Sequence, residues 1–173
     1  MDATESAVIV SVPEAEPVVG KFRAALDRSA SWGVPAHVTL IYPFLPPDRI
    51  GPSELQRLRD AVRSVPRFDV SFSEVRWFER TAVWLAPHPP DGFHALIAAV
   101  WAAFPECPPY GGAFRTSVPH LTIGHEADLD ALSAAGAAVS PRLPVTASVQ
   151  VAHLFQGSDA PGAWRSVAEL PLG

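Results

Sequence analysis

The chain has 173 residues, which is enough for one globular domain or for two small lobes packed together. Its net charge of −5 argues against binding long nucleic acid through the phosphate backbone, because such binding needs a basic surface. A nucleotide, a dinucleotide or an RNA end remains compatible with this charge, since a local site can be positive on an acidic protein. No stretch of 18 apolar residues lacks charge, so the sequence predicts no membrane-spanning helix.

The first residues and the cysteine content indicate a compartment. The chain begins with the acidic sequence Met-Asp-Ala-Thr-Glu rather than with the basic start of a signal peptide. Cys107 is the single cysteine and cannot form an internal disulfide, which fits a reducing environment. We therefore expect a cytoplasmic protein, and we expect it to be a monomer.

The first half of the chain alternates between strand and helix patterns. A short apolar run at 7–12 predicts a buried strand, and helical periodicity follows at 17–29. A second strand, at 37–44, precedes an amphipathic helix at 52–65 that begins with a proline. Residues 68–73 alternate as a half-buried strand does. The apolar parity then shifts, which indicates a bulge or a change of strand.

The second half repeats this order. Its patterns are, in sequence, strand 81–86, helix 91–104, a strand at about 120, helix 128–138, strand 145–155 and a hairpin strand at 164–170. The first strands of the two halves begin 74 residues apart. The strands at 37 and 120 are 83 apart, and the extra residues lie in a Pro- and Gly-rich loop before the second of them. This agreement indicates an internal duplication.

A tetrapeptide with the pattern His, apolar, Thr, apolar occurs once in each half, at 37–40 and at 120–123. Strand side chains alternate between faces, so each histidine shares a face with its own threonine. The apolar residues can anchor each strand in a core, while the His–Thr pairs are left to face a cleft. One such tripeptide is common in strands, because threonine favours them. Two copies, each near a proline, favour a functional interpretation.

The residue types in these motifs suit a phosphate group. An imidazole with a pKa near 6.5 can donate or accept a proton at neutral pH, and a threonine hydroxyl can donate a hydrogen bond to a phosphate oxygen. Two such strands facing each other would place two imidazoles and two hydroxyls around one phosphate.

The motifs, in the stretches His-Val-Thr-Leu-Ile-Tyr-Pro-Phe at 37–44 and Pro-His-Leu-Thr-Ile at 119–123, resemble those of the two-histidine (2H) phosphoesterase superfamily. The first stretch is especially similar to the 2′-5′ RNA ligase-like branch. That family acts on cyclic phosphodiesters or on 2′-5′ linkages. The resemblance and the duplication together imply an α+β fold of two pseudo-symmetric lobes in a single domain, 1–173, with sequence halves of about 1–79 and 80–173. Mainly antiparallel sheets would surround a central groove, with the helices packed outside.

The resemblance also implies roles for the motif residues. His37 and His120 would be the general acid and base, in an order that the sequence leaves open, and Thr39 and Thr122 would bind the phosphate. Weaker candidates for substrate contact are Arg115, just before the second motif, and His125. Family members often have an arginine near the position of His125.

No cofactor is expected. The sequence has no dense set of metal-ligand residues and no Gly-rich phosphate loop, so a strained cyclic phosphate would itself drive the reaction. The expected partner is a small nucleotide or an RNA end with a cyclic phosphate, with no long duplex, no membrane and no metal. The alternative is a module that binds RNA ends or nucleotides without turnover. That alternative does not account for two titratable groups.

Overall fold

The structure is a computed structural model that describes residues 2–113 and 117–173. Within these ranges, eight strands form one curled sheet. They are β1 Glu5–Ser11, β2 His37–Ile41, β3 Phe68–Phe78, β4 Ala82–His88, β5 Leu121–His125, β6 Val145–Val149, β7 Val151–Gly157 and β8 Arg165–Pro171. The helices pack outside this sheet: α1 Glu16–Leu26, α2 Arg28–Ser31, α3 Pro52–Arg63, α4 Asp91–Ala103 and α5 Leu129–Val139.

The strand order is β6-β3-β4-β5-β2-β1-β7-β8, and each neighbouring pair is antiparallel. The predicted α+β fold, with antiparallel strands and external helices, is confirmed. Both halves of the chain follow the predicted order of strand, helix, strand, helix, strand. None of the helices in the described ranges is long and apolar enough to cross a bilayer.

The two histidine strands lie side by side at the centre of the sheet, where Val38 pairs with Leu121. Four strands extend to each side of this junction. On one side β3, from the first half of the sequence, lies beside β4, and on the other β7 and β8 follow β1. Each half of the sheet therefore contains strands from both halves of the sequence. The two halves of the sheet are not the same as the sequence halves 1–79 and 80–173.

The core lies between the sheet and the helices, as the motif pattern predicts. Val38, Leu40, Leu121 and Ile123 are all at most 1% exposed. Helix α1 packs on β5 and helix α4 packs on β2, so each half of the chain covers the histidine strand of the other half. This exchange of helices holds the two central strands against one core.

Two details of the strand predictions are decided by pairing. The shift of parity in β3 is a bulge, between Phe72 and Glu74. The strand predicted at 145–155 is divided at Gln150, because β6 pairs with β3 while β7 pairs with β1 at the far side of the sheet. The interruption also determines the orientation of His153. It is half-buried and pairs with Ile9 on the concave face, rather than belonging to the core.

Candidate active site

The structure brings four of the predicted site residues together on the wall of one cavity. A volume of about 760 Å³ is lined by His37 and Thr39 of β2, by Thr122 of β5 and by His120, which directly precedes β5. Each of the four is half-buried. This cavity occupies the concave face of the curled sheet, opposite the helices.

The geometry follows from the alternation of side chains along the two central strands. Val38 and Leu121 point into the core, so their neighbours in sequence point into the cavity. Antiparallel pairing in this register sets each histidine beside the threonine of the other strand: His37 beside Thr122, and His120 beside Thr39. The result is a pseudo-two-fold arrangement of two imidazoles and two hydroxyls.

Both imidazoles are held through the same ring nitrogen. The Nδ1 atom of His37 lies 2.7 Å from the carbonyl oxygen of Pro35, and Nδ1 of His120 lies 2.7 Å from that of Val118. A carbonyl only accepts hydrogen bonds, so Nδ1 holds the proton in both rings. In the neutral ring Nε2 is then the nitrogen that can accept a proton.

Burial favours the neutral form of both histidines. Burial of the ring and then the positive charge of Arg23 lower the pKa of His37 from 6.5 to about 4, against the opposing effects of the Pro35 carbonyl and Asp27. Burial also lowers the pKa of His120, with a further contribution from His125, while the Val118 carbonyl raises it. The charge of His120 acts on His37 as well, which places the two rings within electrostatic range of each other.

A buried arginine lies behind His37. Arg23, on α1, is 2% exposed and forms an ion pair with Asp27 at 3.1 Å. It also donates a hydrogen bond to the hydroxyl of Ser29. Asp27 and Ser29 line the cavity, so this network extends from the helix to the cavity wall.

The same helix holds the segment that leads into β2. Both terminal nitrogens of Arg23 donate to the carbonyl of Val34, at 3.2 Å each. Glu16 accepts a hydrogen bond from the amide of Ala36 at 2.6 Å. Because His37 bonds to the intervening Pro35, this segment fixes the orientation of its ring. The sequence prediction missed Arg23. A usable signal is present in the sequence, because this charged residue lies beside Val19 and Phe22 on the apolar side of a helix, and Asp27 follows four positions later.

Aromatic rings surround His120. Phe78 meets it edge-on at 4.9 Å between ring centroids, and Trp84 does so at 5.8 Å. Tyr110 stacks on it at 6.2 Å with an interplanar angle of 25°. The hydroxyl of Tyr110 is hydrogen-bonded to Thr39, and burial raises the pKa of Tyr110 to about 12. Tyr110 was also missed in the sequence, where it lies in the irregular loop before the second motif.

The far wall of the cavity is apolar. The rings of Trp32 and Trp164 stack at 6.4 Å, and Tyr42 meets Trp164 edge-on at 6.2 Å. Phe155 belongs to the same cluster. A flat, uncharged group such as a nucleobase can pack against this surface.

The weaker candidates have different outcomes. His125 is exposed, lies at the edge of the cavity and is 3.7 Å from the carboxylate of Glu126. The register between β4 and β5 shifts between Val83 and Trp84, close to His125 in the sheet. Arg115 lies outside the described residues.

A metal site was not predicted. Across residues 2–113 and 117–173, no three His, Cys, Asp or Glu side chains lie close enough together to hold a metal ion. The polar groups that the two motifs and their neighbour contribute to the cavity are two imidazoles, two threonine hydroxyls and the hydroxyl of the half-buried Tyr110.

The family model of the 2′-5′ RNA ligase superfamily matches residues 11–160 of this chain. The chain therefore belongs to that superfamily, a group of two-histidine phosphoesterases, and the predicted family is confirmed. A search of curated proteins gave no match.

Solved structures show the same fold. Escherichia coli LigT complexed with NADP⁺ has a TM-score of 0.62 at 18% identity, with 99% of each chain covered. The protein TT0787 of Thermus thermophilus has a TM-score of 0.64 at 17% identity, covering 96% of this chain and 97% of its own. The complex of LigT with 3′-AMP has a TM-score of 0.60 at 17% identity, again with 99% of each chain covered.

The low pKa of His37 predicts a pH dependence of stability. The folded protein, with this pKa at about 4, binds fewer protons than the unfolded chain, whose histidine titrates near 6.5. The free energy of unfolding should therefore fall as the pH drops from 6.5 to 4. In His37→Gln we expect the loss between pH 7 and pH 4.5 to be smaller by about 1–3 kcal/mol.

Urea unfolding at the two pH values measures this difference. His94→Gln is the matched control, because His94 is exposed on α4 and should leave the wild-type dependence unchanged. Equal losses in His37→Gln and the wild type would contradict the prediction.

Proposed function

We propose that this protein is a metal-independent phosphodiesterase that acts on cyclic phosphodiesters, such as 2′,3′-cyclic phosphate ends of RNA and cyclic nucleotides, or on 2′-5′ linkages. The observation that supports this most directly is the arrangement of His37 and His120. Their rings face one cavity from neighbouring strands, and both are fixed with Nε2 as the acceptor. Membership of a phosphoesterase superfamily supports the same class of reaction.

In the proposed reaction one imidazole removes a proton from water, and the water oxygen forms a bond to phosphorus. The bond from phosphorus to a ribose oxygen breaks, and the second imidazole protonates that oxygen as it leaves. The product is a phosphomonoester with a free hydroxyl. Thr39 and Thr122 donate hydrogen bonds to the non-bridging oxygens, where negative charge increases in the transition state.

We assign the base to His37 and the acid to His120 for hydrolysis. Arg23 and burial both oppose a positive charge on His37, so its ring is neutral and ready to accept a proton. His120 must be protonated to act as an acid. A bound phosphate supplies the negative charge that raises its pKa.

The substrate is proposed to be a nucleotide or the end of an RNA strand. Escherichia coli LigT has been crystallised in complexes with NADP⁺, with 3′-AMP and with ATP, which are nucleotides. In this chain the apolar wall of Trp32, Tyr42, Phe155 and Trp164 is proposed to pack against the base. His125 and Arg115 are proposed as further substrate contacts. A single chain supplies both histidines, which supports a monomer as the proposed active unit. A cytoplasmic location is proposed on the sequence features alone.

The test is incubation of the purified protein with 2′,3′-cyclic nucleotides, with RNA ending in a cyclic phosphate and with a 2′-5′-linked dinucleotide. Product analysis distinguishes 2′- from 3′-phosphates. Saturable binding of these compounds without turnover would instead support the non-catalytic binding module.

Turnover should be unaffected by chelators. The proposed steps use only imidazoles and hydroxyls, so we expect equal rates with and without EDTA, measured with a cyclic nucleotide as substrate. Loss of activity in EDTA and its recovery on adding a divalent ion would contradict the two-histidine mechanism.

Removing either histidine should lower kcat by on the order of 10²–10⁴-fold, which is the usual contribution of a positioned acid or base. The wild-type rate should follow a bell-shaped pH profile with two apparent pKa values. Because the two residues act together, the double variant should be little slower than the slower single variant. Steady-state kinetics of His37→Ala, His120→Ala and the double variant measure these effects.

His94→Ala provides the control, since the side chain is exposed on α4 and remote from the cavity. Thermal melting of each variant shows whether a loss of rate reflects unfolding. Full activity in either single variant, at unchanged melting temperature, would be incompatible with the assignment.

A further inference from the structure

We propose that Tyr110 is a positioning residue. It links the two half-sites, which are the pair His37 and Thr39 and the pair His120 and Thr122, by fixing the Thr39 hydroxyl of the first pair and the His120 ring of the second. This inference rests on the proposed function, because it concerns the same cavity. Neither the sequence motifs nor the family match assigns a role to this residue.

The contacts of Tyr110 reach both central strands. Its hydroxyl is hydrogen-bonded to Thr39 of β2, and its ring stacks on that of His120, which directly precedes β5, at 6.2 Å. Its backbone amide also donates to the carbonyl of Tyr42, just beyond β2, at 2.9 Å. One residue outside the sheet therefore contacts a motif residue from each half of the chain.

The backbone at Tyr110 is in an unfavourable conformation. Its φ is 51° and its ψ is 38°, in the left-handed region, and Gly111 and Gly112 follow at φ values of 64° and 80°. Glycine adopts this region easily, but a residue with a Cβ does so at a cost. A residue keeps such a conformation where contacts with its surroundings hold it in place, and such residues are concentrated at functional sites. At Tyr110, the contacts of the side chain with Thr39 and His120 stabilise the unfavourable backbone conformation.

The chemistry of Tyr110 fits positioning rather than proton transfer. Burial raises its pKa to about 12, so the hydroxyl keeps its proton throughout the range in which histidines titrate. Its hydrogen bond with Thr39 therefore does not depend on pH in that range. A threonine hydroxyl fixed in advance need not reorganise when a phosphate oxygen arrives.

Tyr110 makes the two half-sites unequal. It lies in the loop that lengthens the second half of the chain relative to the first, and it bonds to Thr39. Among the described residues, the Thr122 hydroxyl has no such partner. The inference therefore predicts that Tyr110 and Thr39 act as one unit, and that Tyr110 and Thr122 act independently.

A double-mutant cycle tests this. Tyr110→Phe keeps the ring and removes the hydroxyl, and we expect kcat to fall about tenfold with little change in KM, as for the loss of one hydrogen bond. In a Thr39→Val background the same change should have little further effect. In a Thr122→Val background it should again cost about tenfold. Thr146→Val, in an exposed strand position outside the cavity, controls for the loss of a strand hydroxyl.

Equal effects of Tyr110→Phe in the two threonine backgrounds would overturn the proposal, as would full activity of Tyr110→Phe itself. Circular dichroism melting of each variant accompanies the kinetics. The Phe substitution preserves the packing of the ring, so the cycle does not depend on a variant that fails to fold.

A second readout needs no turnover. The aromatic groups around His120 are Phe78, Trp84 and Tyr110, its ring is bonded to the Val118 carbonyl, and the titratable groups that act on it are His37 and His125. Tyr110→Leu removes a stacked ring and admits water, so the NMR titration of His120 should shift upwards, towards the ordinary histidine range. Tyr110→Phe should leave it near the wild-type value. An unchanged titration in Tyr110→Leu would overturn the stacking part of the proposal.

If the wild type shows no turnover, the proposed function fails, and this titration alone decides whether Tyr110 positions His120.

Discussion

The pairing of β2 with β5 is the contact on which the rest of the site depends. It joins the two halves of the sheet, and its paired residues Val38 and Leu121 are fully buried. Burying these two side chains against the helices forces their neighbours onto the concave face, because strand side chains alternate. The packing of α1 on β5 and of α4 on β2 holds this junction from the other side. The packing that stabilises the core therefore also places the polar motif residues on the concave face.

The electrostatics of the cavity follow from its burial. Ions are disfavoured where water is excluded, so burial favours neutral imidazoles in this cavity, and the buried cation of Arg23 is balanced by Asp27. In the proposed reaction a phosphate that enters this site brings the negative charge that an imidazolium needs. The proposed phosphate binding therefore depends on hydrogen bonds and on an imidazolium formed inside the cavity, and it does not require a basic surface, which is consistent with the net charge of −5.

The two halves of the site carry the same motif, but the elements around them differ. The first half places the Arg23–Asp27 pair behind His37. The second half has a longer loop, which places Tyr110 over His120. Two histidines with the same local motif consequently have different surroundings. A base and an acid need different environments, and in our proposals these two additions provide that difference.

Local patterns determined much of this protein in advance. The period-2 alternation at 37–40 and 120–123 predicted which side chains are buried and which face a cavity, and the helical periodicities predicted the helices that cover them. Such features depend on residues near in sequence, so the sequence alone determined them. The strand order, the division at Gln150 and the contacts of Arg23 and Tyr110 depend on pairing between distant segments. No local period encodes which strand lies beside which, or that a tyrosine in an irregular loop reaches a threonine 71 positions earlier in the chain. Only the tertiary structure decided these features, because they arise when one shared core closes around both halves of the chain.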